Sequence, residues 1–259
     1  MNCLLFCDFF TASFEIFHWY AFIAVPKGYR HLTEQECGFP DYMEDLDMMK
    51  KRNIPYGVLA CISIVFILYA LVNNYIIDPG AEKFLSQKTG LSRQLKLPIW
   101  LNVMYIHVAF ACIAMAAGLL NFSKVLFEKS RKFHRINGYI YLISVLAVVL
   151  TSGYMAPYAT GGKISSMGFN ALNMIWLFIT VTALVQIKKK RVSRHRSWMM
   201  RSYAFCFTNM LIHLTAFLCH NGFGYEYAVS YTIGIYSSIA LLLVIPEVII
   251  RIRERWNIK

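Results

Sequence analysis

Five histidines, His107, His134, His195, His213 and His220, stand inside or at the edges of long apolar runs. An ionisable side chain in hydrocarbon is costly, and it marks a functional site by default. Two imidazoles contributed by different helices are how a helical bundle ligates a b-type haem through its axial positions. The stretch "SRHRSWMMRSY" (193–203) starts the longest histidine face. With His195 at zero and 100° per residue, Ser202 falls at about −20°, Cys206 at +20°, Asn209 at −40°, His213 at 0° and His220 at −20°. His195 and His213 are then about 27 Å apart along the axis, close to the hydrocarbon thickness.

Partners occur at matching depths. His134 shares the inner boundary with His195, and His107 shares the outer half with His213 and His220. The expectation is an inner haem pair, His134 and His195, and an outer set in which His107 meets His213 or His220. Haems near both leaflets would form a transmembrane electron path. Rival readings exist for each residue. Boundary histidines can contact lipid phosphates and helix ends, and deeper ones can hydrogen-bond a neighbouring helix. A histidine face can also carry protons or bind a metal. There is no HExxH and no CxxC, so zinc-hydrolase and thioredoxin-type chemistry have no support.

These residues need helices to hold them, and the composition supplies membrane helices. The chain of 259 residues is 58% hydrophobic and 15% charged, against about 25% charged in a soluble domain. Six apolar runs of spanning length lie near 56–77, 98–121, 136–156, 168–187, 199–220 and 229–250. The fold class is all-α, a polytopic transmembrane bundle over residues 56–259. The face of the second run through His107 includes Ala111, Ala114 and Gly118, small enough for close helix approach.

Net charge is +12, and 16 of the 26 Lys and Arg fall in three windows, 124–135, 188–201 and 251–259. Each abuts an apolar run. This is the positive-inside pattern, so those loops and the C-terminus are expected in the cytoplasm, against anionic headgroups of the inner membrane. The same distribution argues against a nucleic-acid partner. Residues 1–25 are long enough to span yet carry Asp8, Glu15 and His18. They read as a seventh helix, either spanning or interfacial, with 26–55 as a cytoplasmic linker. Arg201 reads as snorkelling to the headgroups beside an interfacial Trp198. Asn170 and Asn173 read as interhelical hydrogen bonds, and Pro246 as a kink.

Taken together, His107 with Gly118, "HRINGYIY", Gly168–Phe169, Trp176 and "HRSWMMRSYAF" resemble a family of predicted bacterial membrane proteins, domain of unknown function 2306 (DUF2306). The resemblance runs over about residues 107–213. It implies a multi-pass bundle and supplies no activity. Its recurrent polar positions fall here on His107, His134, Arg135, Gly138, Trp176, His195, Trp198 and Arg201. Where this chain has His213 the family pattern often carries Arg, which speaks against a family-wide outer ligand there.

The leading expectation is a b-type haem or quinone-linked redox protein with a membrane redox partner, using His134 and His195 and drawing on His107 and His213. The bundle would supply Arg135, Trp198, Arg201, Ser202, Asn209 and His220 as further polar positions. The alternatives are a non-enzymatic transporter or small-ligand module, and an assembly or accessory protein.

Overall fold

A computed structural model describes residues 39–88 and 95–256, with the backbone alone over 39–55. The N-terminal helix expected over 1–25 lies outside the described residues. The fold is all-helical, without strand among the described residues, and six helices are long and apolar enough to cross a membrane. They are residues 56–77, 97–122, 131–158, 162–188, 192–222 and 227–255. Two compact units divide the chain, 1–65 and 66–259.

α1 (Phe39–Val72) begins within the stretch read as a linker and crosses from the first unit into the second. In the first unit the Ser63 hydroxyl donates back to the Leu59 carbonyl, 2.8 Å away. This bond within the helix keeps a polar side chain satisfied in an apolar run.

The rest of the fold lies in the second unit. A π-turn, Asn73–Ile77, ends α1 at Asp78-Pro79-Gly80. The Asp78 carboxylate then accepts from the Glu82 N–H at 2.9 Å and starts the short α2 (Glu82–Ser86). α3 (Leu97–Phe122) carries Pro98 in its first turn, where the missing N–H has no intrahelical partner to lose. Ser123 and Ser130 cap α4 (Lys124–Lys129) and α5 (Arg131–Met155) through their hydroxyls. After the 3₁₀ turn Ala156–Tyr158, Gly161 at φ +88° turns the chain into α6 (Gly162–Lys188). A Cβ there would be strained and would meet Thr232 and Ser165 hydroxyls at 2.3 and 2.4 Å.

The fifth span is broken. α7 (Val192–Ala204) tightens into a 3₁₀ turn, Phe205–Phe207, before α8 (Thr208–Phe217) and a closing π-turn, Leu218–Gly222. α9 (Tyr227–Trp256) completes the bundle. α3 packs along α5, α6 along α7, and α8 along α9, with α5 and α9 both reaching α6. Gly118 of α3 lies under the Tyr203 ring of α7, so the small-residue face does admit a close neighbour. Since the spans alternate in direction, the basic stretches 124–135, 188–201 and 251–255 gather at one end of the bundle.

At the opposite end Lys88 is half-buried, over the rings of Phe84 (4.6 Å) and Trp100 (5.1 Å), and it donates to the Tyr158 carbonyl. Burial pulls its amine down from the usual 10.5 to about 8; the rings and the carbonyl offset only part of that cost. Between pH 8 and 10.5 the unfolded chain therefore holds a proton that the fold does not. Stability is expected to rise with pH across that window and to be lower beneath it. Thermal melts from about pH 7 to about pH 10 should show this rise, and Lys88→Met should flatten it.

Candidate functional site

His134 and His195 each occupy the fourth position of their helix. Ser130 caps α5 and its carbonyl accepts the His134 N–H at 3.2 Å; the Arg191 carbonyl accepts the His195 N–H at 2.9 Å. Local capping thus sets both imidazoles one turn in from the basic end. Both are half-buried, and a charge on His195 acts on His134, so the two are electrostatic neighbours. The His134 ring stands edge-on to Phe127 of α4, centroids 5.1 Å apart.

The His195 Nδ1 lies 2.8 Å from the Ala183 carbonyl of α6. A carbonyl can only accept, so Nδ1 carries a proton, and in the neutral ring Nε2 keeps the lone pair. One turn beyond His134, Gly138 has spare room. A Cβ there would meet only Asn121 Nδ2, at an ordinary 3.6 Å. Arg135, Arg194 and Arg196 are exposed around the pair.

The outer histidines each have a separate partner. His107 Nδ1 lies 2.9 Å from Thr151 Oγ1 on α5. That hydroxyl already donates to the Ala147 carbonyl at 2.7 Å, so His107 is the donor and its partner is α5. His213 presents its ring to Tyr231 of α9, centroids 6.0 Å apart. His220 is exposed and binds the Tyr225 carbonyl at 2.7 Å, fastening the turn before α9. A straight-helix wheel puts His195, Asn209 and His213 on one face. The 3₁₀ turn at Phe205–Phe207 advances about 120° per residue. It rotates α8 relative to α7, and Asn209 is exposed. Among the described residues no three His, Cys, Asp or Glu are grouped to hold a metal ion.

Ser202 is fully buried and belongs to a hydroxyl chain that the histidine pattern does not reveal. Thr180 donates to the Trp176 carbonyl at 2.8 Å; Ser202 lies 2.7 Å from Thr180, and Tyr141 2.8 Å from Ser202. Each hydroxyl has one proton, so the carbonyl at the end fixes every donor: Tyr141 to Ser202 to Thr180 to Trp176. Asn137, a turn before Tyr141, donates to the Ala117 carbonyl and to Asn121. A signal for this row is present in the sequence: His134, Asn137, Tyr141 and Ser144 follow helical spacing on α5.

Arg201 does not simply snorkel. Its guanidinium binds the Glu247 carboxylate of α9 at 2.6 and 3.2 Å and covers the Trp198 ring at 4.9 Å. Arg251 holds the other carboxylate oxygen at 3.2 Å. The pair is partly exposed, so Arg201→Met should lower stability by only about 1 kcal/mol. Glu247→Gln in the same background should restore part of it, read as melting temperature.

The family profile for a predicted membrane protein, DUF2306, matches residues 104–250. No curated protein and no solved structure matches the chain.

Proposed function

The chain belongs to the DUF2306 family of predicted membrane proteins, and from that footing we propose that this integral membrane protein binds one b-type haem between His134 and His195. The carrying observation is the Nδ1–H of His195 held by the Ala183 carbonyl. Such a hydrogen bond orients an axial imidazole and raises the basicity of its free Nε2. Gly138, one turn beyond His134, keeps that stretch of α5 free of a side chain. Arg135, Arg194 and Arg196 offer cations to its propionates. These features fit the group. Bound haem would supply one-electron transfer.

The residues of the chain do the rest. His134 and His195 would hold the group, Phe127 packs against the His134 ring, and Ala183 orients the ring of His195. The proposal places the basic end in the cytoplasm, against anionic headgroups, with a quinone or a membrane redox partner exchanging electrons. A small-ligand module at the same pair is the second reading.

One absorption spectrum separates them. Detergent-purified protein should be red, with a Soret band that shifts on dithionite reduction. A preparation that stays colourless after reconstitution with haem would sink the haem reading.

A further inference from the structure

α7 and α9 run in opposite directions and meet in two rungs near the basic end. In the deeper rung, Arg201 of α7 binds Glu247 of α9 at 2.6 Å, and Arg251 takes the other carboxylate oxygen at 3.2 Å. The shallower rung has no such balance. Arg253 of α9 crosses back to α7, its Nη1 3.7 Å from the Met200 sulfur. A charge on Arg196, one turn before Met200, acts on Arg253, so the two guanidiniums are electrostatic neighbours. Among the described residues neither has a carboxylate partner: Glu247 serves the deeper rung, and Glu254 pairs with no cation.

The packing imposes this neighbourhood. The Arg201–Glu247 bond sets the register of α7 on α9, and that register brings Arg253 to the level of Arg196 despite their like charge. An anion between them offsets the repulsion. Both are exposed, so an anion has access. Arg196 lies in the first two turns of the span 192–222 and Arg253 in the last turn of the span 227–255, the depth of headgroup phosphates. Guanidinium forks match phosphate oxygens in geometry as well as charge. Toward the bilayer centre, Ile249 and Ile245, one and two turns back on α9, are 49% and 45% exposed. A cation pair above an exposed aliphatic strip fits a phosphate carried on acyl chains.

We propose that Arg196 and Arg253 hold the phosphate of an anionic phospholipid at the seam between α7 and α9, with its chains along Ile249 and Ile245. At 100° per residue from His195, Met200 falls at about 140° and Arg201 at about −120°, so this seam lies on the flank of α7 away from His195. The inference takes from the proposed function only that the basic end meets the headgroups, and it needs no haem. Arg196 is the one residue offered to both sites, so Arg253 carries the test.

The test is calorimetric titration of the full-length protein in uncharged detergent with dioctanoyl phosphatidylglycerol, dioctanoyl phosphatidylcholine and inorganic phosphate. Phosphatidylglycerol should bind saturably. Phosphatidylcholine, whose choline neutralises the same phosphate, should bind more weakly, as should phosphate without chains. Arg253→Gln and Arg196→Gln should each weaken phosphatidylglycerol binding about tenfold, or about 1.4 kcal/mol. Arg255→Gln and Lys132→Gln, exposed in the same basic stretches, should leave it unchanged. Equal losses in all four variants would overturn the proposal, since the attraction would then be diffuse charge. So would absent phosphatidylglycerol binding, or inorganic phosphate binding as tightly as the lipid. A colourless protein that binds the lipid at Arg253 would remove the haem reading alone, and a red protein that does not would remove this proposal alone.

Discussion

His195→Ala protein, purified and reconstituted with haem, is expected to lose the Soret band altogether, and His134→Ala to lose it or leave a weak five-coordinate remnant. His107→Ala, His213→Ala and His220→Ala should keep the band in place. The contrast comes from the partners of each ring. His195 presents a free Nε2 beside His134, with its other nitrogen fixed by Ala183. His107 is held by Thr151, His213 faces Tyr231, and His220 fastens a turn. On the haem reading, each of the first two variants removes one of the two imidazoles that would hold the group, and the other three histidines are engaged elsewhere. Difference spectra, oxidised against reduced, on the five single variants check this. A band that survives His195→Ala and vanishes in His107→Ala would move the site to the other end of the bundle.

The second large effect is structural. Gly118→Ala puts a Cβ 2.3 and 2.5 Å from two Tyr203 ring carbons and 3.2 Å from Tyr141. Tyr203 has little freedom to move aside. It is 3% exposed, its hydroxyl donates to the Met115 carbonyl at 3.2 Å, and its ring stands between Phe122 and Phe207. Overpacking of this kind costs about 1–3 kcal/mol. The melting temperature should fall by about 3–10 °C at this chain length. Tyr203→Leu in the Gly118→Ala background should recover part of the loss, since it vacates the space that the new methyl needs. An unchanged melt for Gly118→Ala would mean that α3 and α7 are not in contact there.

Hydropathy alone locates the six spans, because the bilayer demands about 20 apolar residues of any helix that crosses it. The expected 98–121 and the observed Leu97–Phe122 differ by one residue at each end. That His134 and His195 each sit one turn inside the start of a helix is also legible, since each apolar run there follows a basic loop. The facing of His213 and His220 is not. It depends on the Phe205–Phe207 turn, and a wheel of constant pitch has no place for a change of pitch. Glu247 escapes for a different reason. A carboxylate beside Pro246 near a basic tail reads as an ordinary interface residue until Arg201 arrives from another helix.

The hydroxyls of Tyr141, Ser202 and Thr180 look at first like a conductor laid through the membrane. A proton wire needs each link to turn round and hand on what it receives. Here the last link is the Trp176 backbone carbonyl, which takes a hydrogen bond and releases nothing, so every link behind it is locked in one direction. The row is a clasp rather than a channel: it joins α5, α6 and α7 at the heart of the bundle.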